Sequence, residues 1–177
     1  MNRLPAAKRI IRQCLVILIL TANIGCDQVS KHIVRQRMDY FEKIYLMDNH
    51  LTVTKVENTG AFLSLGNDMA PRLKVWLLTI LPLVILFGAF IFVFIRKDLS
   101  LITLTGLCFF IGGGAGNIFD RLLFGSVTDF LHIDLGIFQT GVFNMADVSI
   151  MVGTGLLMWG TSGSNAESQS LREPTEK

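Results

Sequence analysis

Two aspartates, Asp129 in "VTDF" and Asp147 in "FNMAD", are the residues of this chain best suited to chemistry, and each stands at the edge of an apolar stretch. Two carboxylates brought close cannot both ionise easily, so one keeps its proton near neutral pH while the other acts as base. That pair suits peptide hydrolysis through an activated water, one Asp taking its proton and the other donating to the carbonyl oxygen. Other hydrolytic chemistries lack their residues. His32, His50 and His132 show no H-x-x-x-H spacing for zinc, and no G-x-S-x-G occurs. Ser30 and Lys31, as neighbours, cannot share a helical face, and the G-x-G-D signature of another intramembrane aspartyl class is absent.

Further polar residues accompany the pair. Asp27 and Lys31 are four apart; Asn117, Asp120 and Arg121 fall at i, i+3 and i+4; Asn144 and Asp147 are three apart. On helices each set projects from one face. Asp120 beside Arg121 reads as its ion-pair or orienting partner.

The elements that must carry these residues are membrane spans. The chain has 177 residues, 51% hydrophobic and 17% charged, with a mean hydropathy of +0.51, and its apolar residues fall in blocks. That is a membrane composition of one domain's length. A net charge of +2, with no basic stripe interleaved with aromatics, gives no sign of nucleic-acid binding. Four blocks predict transmembrane helices, over about 10–30, 75–95, 99–119 and 144–160. The second, a helix about 32 Å long against a hydrocarbon core of about 30 Å, contains Pro82, which removes one backbone bond and should bend it. The first also resembles a secretory or lipoprotein signal cut ahead of Cys26, but Asn23 and Ile24 fit those positions poorly, and a cleaved secreted protein would not carry three further spans. Cys14, Cys26 and Cys108 lie in apolar blocks with no spacing motif, which favours small buried thiols.

Between the first two spans, a β segment over about 44–66 contains "LTVTKVENTGAFLSLG", which predicts two short strands about a turn at "ENTG". A mobile piece within the connector 126–141 is expected to close over the β segment, with Phe130, Leu131, Leu135, Ile137 and Phe138 resting on the membrane surface. Residues 1–160 then form a single membrane domain, and the Ser- and Glu-rich tail 161–177 is predicted disordered. Four spans put both termini on one side and all the grouped polar residues at the other membrane face, with the β segment. Lysines and arginines divide evenly between the sides, eight each, and the dense cluster before the first span favours termini inside.

A charge at membrane depth costs about 2.5–3.5 kcal/mol, so acids gathered at one level should pair, line water or do chemistry. For Asp147 alone, a helix N-cap or first-turn acid is a sufficient explanation. Lys31 can snorkel, Gly112 and Gly116 can serve close packing, and Glu57, His132 and Asp134 read as solvated. A proton-coupled transporter using the same acids is disfavoured by one-sided clustering and by the lack of internal repeats. An assembly protein whose polar groups only join helices would not need two acids plus Asn-Asp-Arg at one level.

Five blocks carry a family resemblance: "DQVSK" (Asp27 to Lys31), "ENTGAFLSL" (Glu57 to Leu65), "GGAGNIFDR" (Gly113 to Arg121), "VTDF" (Val127 to Phe130) and "FNMADVSI" (Phe143 to Ile150). Together, and in this order, they resemble lipoprotein signal peptidase, also called signal peptidase II. The resemblance implies a mainly α fold of four transmembrane helices with a periplasmic β-cradle. It also implies an aspartyl endopeptidase of the bacterial inner membrane, cutting prolipoproteins on the amino side of the diacylglyceryl-modified cysteine. By motif position, Asp129 and Asp147 match the catalytic dyad. Asp27, Lys31, Asn58, Gly60, Asn117, Asp120, Arg121 and Asn144 are then expected at the substrate and inhibitor pocket. Termini in the cytoplasm, a site near the periplasmic face, contact with membrane lipid, globomycin-type inhibitors and no metal or organic cofactor are further expectations. One block departs: after Gly60 the aromatic, Phe62, arrives one place early, and in a strand one place reverses the face.

Overall fold

The computed structural model describes residues 5–40, 42–60 and 70–170, with side chains described as far as 160. Four helices and three strands follow in the order α1 (Ala6–Arg37), β1 (Lys43–Leu46), β2 (Leu51–Asn58), α2 (Pro71–Ile95), α3 (Leu101–Phe124), β3 (Val127–Ile133) and α4 (Met145–Ser170). Helices α1, α2 and α3 are each long and apolar enough to cross a membrane; the apolar part of α4 is the shorter Met145–Gly160. At 1.5 Å per residue that part is about 24 Å long. The α4 backbone stays helical through Ser170, into the stretch whose composition predicts disorder. A helix already nucleated extends at little cost through residues such as Ala166, Glu167 and Gln169.

Pro82 acts through the turn before it. Trp76–Ile80 is π-helical, and the Leu81 N–H bonds to the Trp76 carbonyl, five residues back. The widened turn accommodates the ring and the missing N–H of Pro82 inside an otherwise continuous helix.

The helices share a core of Val16, Leu86, Val93, Leu104, Cys108, Ile111 and Ile118. Of the three thiols only Cys108 is buried; Cys14 and Cys26 face outward, where apolar surroundings are lipid. Packing is close wherever glycine permits it. A Cβ on Gly116 would stand 2.5 Å from Asp27 Oδ2, and one on Gly112 would stand 2.9 Å from the Asn23 Cβ, so the G-x-x-x-G stripe lies against α1. Against α4, a Cβ on Gly153 would meet the Phe110 nitrogen at 2.6 Å and the Gly106 oxygen at 2.7 Å.

The sheet is antiparallel in the order β1-β2-β3. Lys43 pairs with Thr54 and Leu46 with Leu51 around a turn in which Met47, Asp48 and Asn49 all have positive φ. Of the two strands expected about "ENTG", the first forms, and the second falls outside the described residues. Leu51–Asn58 is a single strand whose hairpin partner precedes it, and residues 61–69, including Phe62, lie outside the described residues. β3, unexpected as a strand, pairs with β2 from Leu51↔Ile133 to Asn58↔Val127, with an irregularity between Val53 and Val56. Phe130, expected on the membrane surface, is buried with Val34 of α1 and Met38 just past its end. Leu131 packs against that cluster, and only Leu135, Ile137 and Phe138 stay exposed.

Candidate active site

Asn144 is where the site is assembled. Its Oδ1 accepts from the Asp147 N–H at 3.0 Å, and its own N–H donates to Asp147 Oδ2 at 3.1 Å. This is a reciprocal capping box at the start of α4, so the helix-cap reading of Asp147 is correct as far as it goes. The side-chain amide of Asn144 then reaches outward, donating to Asp129 Oδ1 at 2.6 Å and to Asn117 Oδ1 at 3.1 Å. One asparagine thus holds both aspartates, one by its side chain and the other by its backbone.

Each carboxylate has a second support. Asn58 Nδ2 donates to Asp129 Oδ2 at 2.9 Å from β2, and Asn117 Nδ2 donates to Asp147 Oδ1 at 2.9 Å from α3. Asp129 is 4% exposed on β3, while Asp147 is half-buried. Burial, and then the charge of Asp147, push the Asp129 carboxyl up to about 6 against the opposing hydrogen bonds from Asn58 and Asn144. The two acids therefore differ in environment, as an acid and a base in one reaction must.

Behind the aspartates lies a buried ionic layer. Lys31 Nζ sits 2.9 Å from Asp27 Oδ2 and 3.1 Å from Asp120 Oδ2, and it donates to Asn117 Oδ1 at 3.0 Å. Lys31, Asp27 and Asp120 are all fully buried, so Lys31 does not snorkel. Asp27 Oδ1 accepts the Ala146 N–H at 2.9 Å, tying α1 to the first turn of α4. Asp120 pairs with Lys31 and with Arg35 (2.8 Å). No such pair joins it to its neighbour Arg121 among the described residues, because adjacent helical residues diverge. Arg121 instead donates to the Gly60 carbonyl at 3.0 Å, and the Gly60 N–H is held by Asn58 Oδ1 at 2.9 Å.

All ten residues singled out in the sequence thus converge at one end of the bundle. Several supports were not anticipated. Gln28 donates to Asp27, the Gly116 carbonyl and Asp120. Arg35 donates to Thr128 Oγ1 at 2.8 Å and lies 4.1 Å over the Phe124 ring. Glu57, expected to be solvated, accepts from Ser126 and Thr128 at 2.6 and 2.8 Å and pins the start of β3. The spacing of Gln28 and Arg35 from Lys31 was the available signal for two of these. Glu57 gave none, because its partners lie in and just before the strand that was not foreseen.

Three apolar helices, a fourth that begins at an acid-amide cluster, and a small sheet that delivers a buried aspartate to it define a polytopic membrane enzyme. The family described as Signal peptidase (SPase) II matches residues 18–162. The chain is 34% identical over 164 residues to the lipoprotein signal peptidase of Shewanella oneidensis, covering 92% of this chain and 90% of that protein. It is 30% identical over 146 residues to the lipoprotein signal peptidase of Geobacillus thermodenitrificans, covering 82% and 88%. A bacterial membrane enzyme solved by the in meso method superposes with a TM-score of 0.76 at 24% identity, covering 92% of this chain and 94% of that one. A second superposes at 0.73 and 25% identity, covering 83% and 92%. The chain belongs to the signal peptidase II family, and is accordingly a peptidase and a bacterial integral membrane protein.

Proposed function

We propose that this chain is an aspartyl endopeptidase that removes the signal peptide from prolipoproteins, cutting on the amino side of the diacylglyceryl-modified cysteine. The observation that carries this reading is the shared grip of Asn144 on Asp129 and Asp147. In the reaction, Asp147 takes a proton from a water held between the acids as the water oxygen attacks the scissile carbonyl carbon. Asp129, the acid whose proton affinity is raised, donates to the carbonyl oxygen. The tetrahedral intermediate collapses as Asp129 recovers that proton, the C–N bond breaks, and the proton on Asp147 passes to the departing amine. No metal enters any step.

The other site residues divide by position. Asp27, Lys31 and Asp120, fully buried, hold the helices in register beneath the dyad. Arg121, half-buried and fixed to the Gly60 carbonyl, together with Asn58 and Gly60 frames the approach for the substrate backbone. Globomycin-type inhibitors would occupy the same approach. The enzyme sits in the inner membrane with both termini cytoplasmic and the dyad near the periplasmic face, where a lipid-anchored substrate arrives laterally. A proton relay would need polar groups through the membrane depth, whereas the far half of the core is Val16, Val93, Leu104 and Cys108.

The test is cleavage of a diacylglyceryl-modified prolipoprotein by the purified protein, beside an unmodified substrate and the variants Asp129→Asn and Asp147→Asn. Wild type should cut only the lipidated form, and each variant should lose activity by at least about a thousandfold while still inserting in the membrane. Substantial turnover by either variant would remove that aspartate from the dyad.

A further inference from the structure

At the membrane end opposite the dyad, α1 and the start of α3 enclose a separate groove of about 260 Å³. Ile11 and Leu15 of α1 line it with Leu101 and Leu104 of α3 and Leu99 just before α3, and Lys8 and Arg12, one helical turn apart, complete the lining. The walls are aliphatic and the remaining groups are cationic. Arg12 is anchored: its Nη2 donates to the Val93 and Arg96 carbonyls at the C-terminal end of α2, at 2.8 and 2.6 Å. Its Nε is buried and has no hydrogen-bond partner among the described residues.

The charge here is one-sided. Asp98, the nearby acid, is taken by Arg96 through Nε at 2.7 Å and Nη2 at 2.6 Å. Lys8, Arg9 and Arg12 form no ion pair among the described residues. Two cations at i and i+4 bracket a phosphate, and an aliphatic trough beside them suits an acyl chain rather than a peptide, which would leave backbone polar groups unpaired. A zwitterionic head group would bring a further cation among these, and a net-anionic one would not.

We propose that this groove binds one membrane phospholipid with a net-anionic head group, its phosphate between Lys8 and Arg12 and an acyl chain along Ile11, Leu15, Leu101 and Leu104. Seated there, the lipid joins α1 to the start of α3, beside the Arg12 contacts that tie α1 to the end of α2. The site is separate from the dyad and does not depend on the peptidase reading.

The experiment uses the full purified chain in nanodiscs of phosphatidylcholine alone or mixed with phosphatidylglycerol, with native mass spectrometry reading the lipid retained. The expected result is retention of one phosphatidylglycerol in preference to phosphatidylcholine. Lys8→Gln should lower retention about fivefold by loss of one cation at the surface. Leu101→Trp, at a residue 65% exposed, should abolish retention by filling the trough. Circular dichroism of both variants establishes that they fold. Equal retention of the two lipids, or unchanged retention in both variants, overturns the proposal. Loss in Lys8→Gln but not in Leu101→Trp, or displacement of the lipid by inorganic phosphate alone, would leave an anion site without an acyl trough and also overturn it. Cleavage is read in neither arm.

Discussion

Lys31 spends all three of its Nζ protons inside the protein, on Asp27, Asp120 and Asn117, which makes it a hub between α1, α3 and, through Asp27, the first turn of α4. Removing one partner of a buried ion pair leaves an uncompensated charge, at a cost of about 3–5 kcal/mol. Lys31→Met should therefore lower the thermal midpoint in detergent sharply, and Lys31→Met with Asp27→Asn should recover part of the loss; no recovery would mean that packing, not charge, dominates. Asp129 makes a different prediction. Its carboxyl titrates near 6 in the fold against an ordinary 3.8, so the folded chain holds a proton that the unfolded chain has released. The stability this contributes is fully present below the unfolded value and is lost as pH rises through about 6. The span of the shift corresponds to about 3 kcal/mol. Wild type should lose thermal stability between pH 4 and pH 7.5 more steeply than Asp129→Asn, and parallel profiles would show that Asp129 is not the buried proton holder.

Elements differ in how far sequence alone reveals them. Three spans were legible because a bilayer imposes a length and an apolarity that few other structures share. The fourth was legible by its apolar block but not by its end, since composition marks where lipid stops and not where backbone hydrogen bonding stops. β3 escaped because Val127, Thr128, Asp129 and Phe130 are buried on both faces, which erases the alternation by which a half-exposed strand is read. The same burial raises Asp129's proton affinity, so the least legible element carries one of the two aspartates proposed to do the chemistry. Gly153 shows what holds these elements at the right separation. A side chain there would meet backbone atoms of Phe110 and Gly106, which cannot turn aside, whereas a side chain at Gly155 would meet nothing within 4 Å among the described residues. Gly153→Leu should prise α4 from α3 and cost most of the activity and several degrees of thermal midpoint, with Gly155→Leu near wild type. Comparable losses in both would mean that the α3–α4 contact is not what sets the dyad.

The whole molecule is polarised from end to end, with an ionic layer, the dyad and the sheet at one end and an aliphatic core at the other. Such a body has to be set at a definite depth, and the sheet end carries the residues to do so. Beyond β3 the chain turns at Gly136, and Leu135, Ile137 and Phe138 stand 56%, 103% and 60% exposed, with no neighbour among the described residues to cover them. Exposed together at a loop tip, they suit the boundary between head groups and acyl chains, where each buried apolar side chain is worth about 1.5–3 kcal/mol at full burial. If the tip rests there, its contribution exists only when there is a bilayer to rest on. Ile137→Asp with Phe138→Asp should therefore reduce cleavage of a lipidated substrate in liposomes by roughly tenfold or more, while cleavage in detergent micelles, which supply apolar surface without a fixed plane, changes much less. Equal losses in the two media would place the tip in the handling of substrate rather than at the membrane surface, because a defect in chemistry travels with the enzyme and a defect in seating stays with the bilayer.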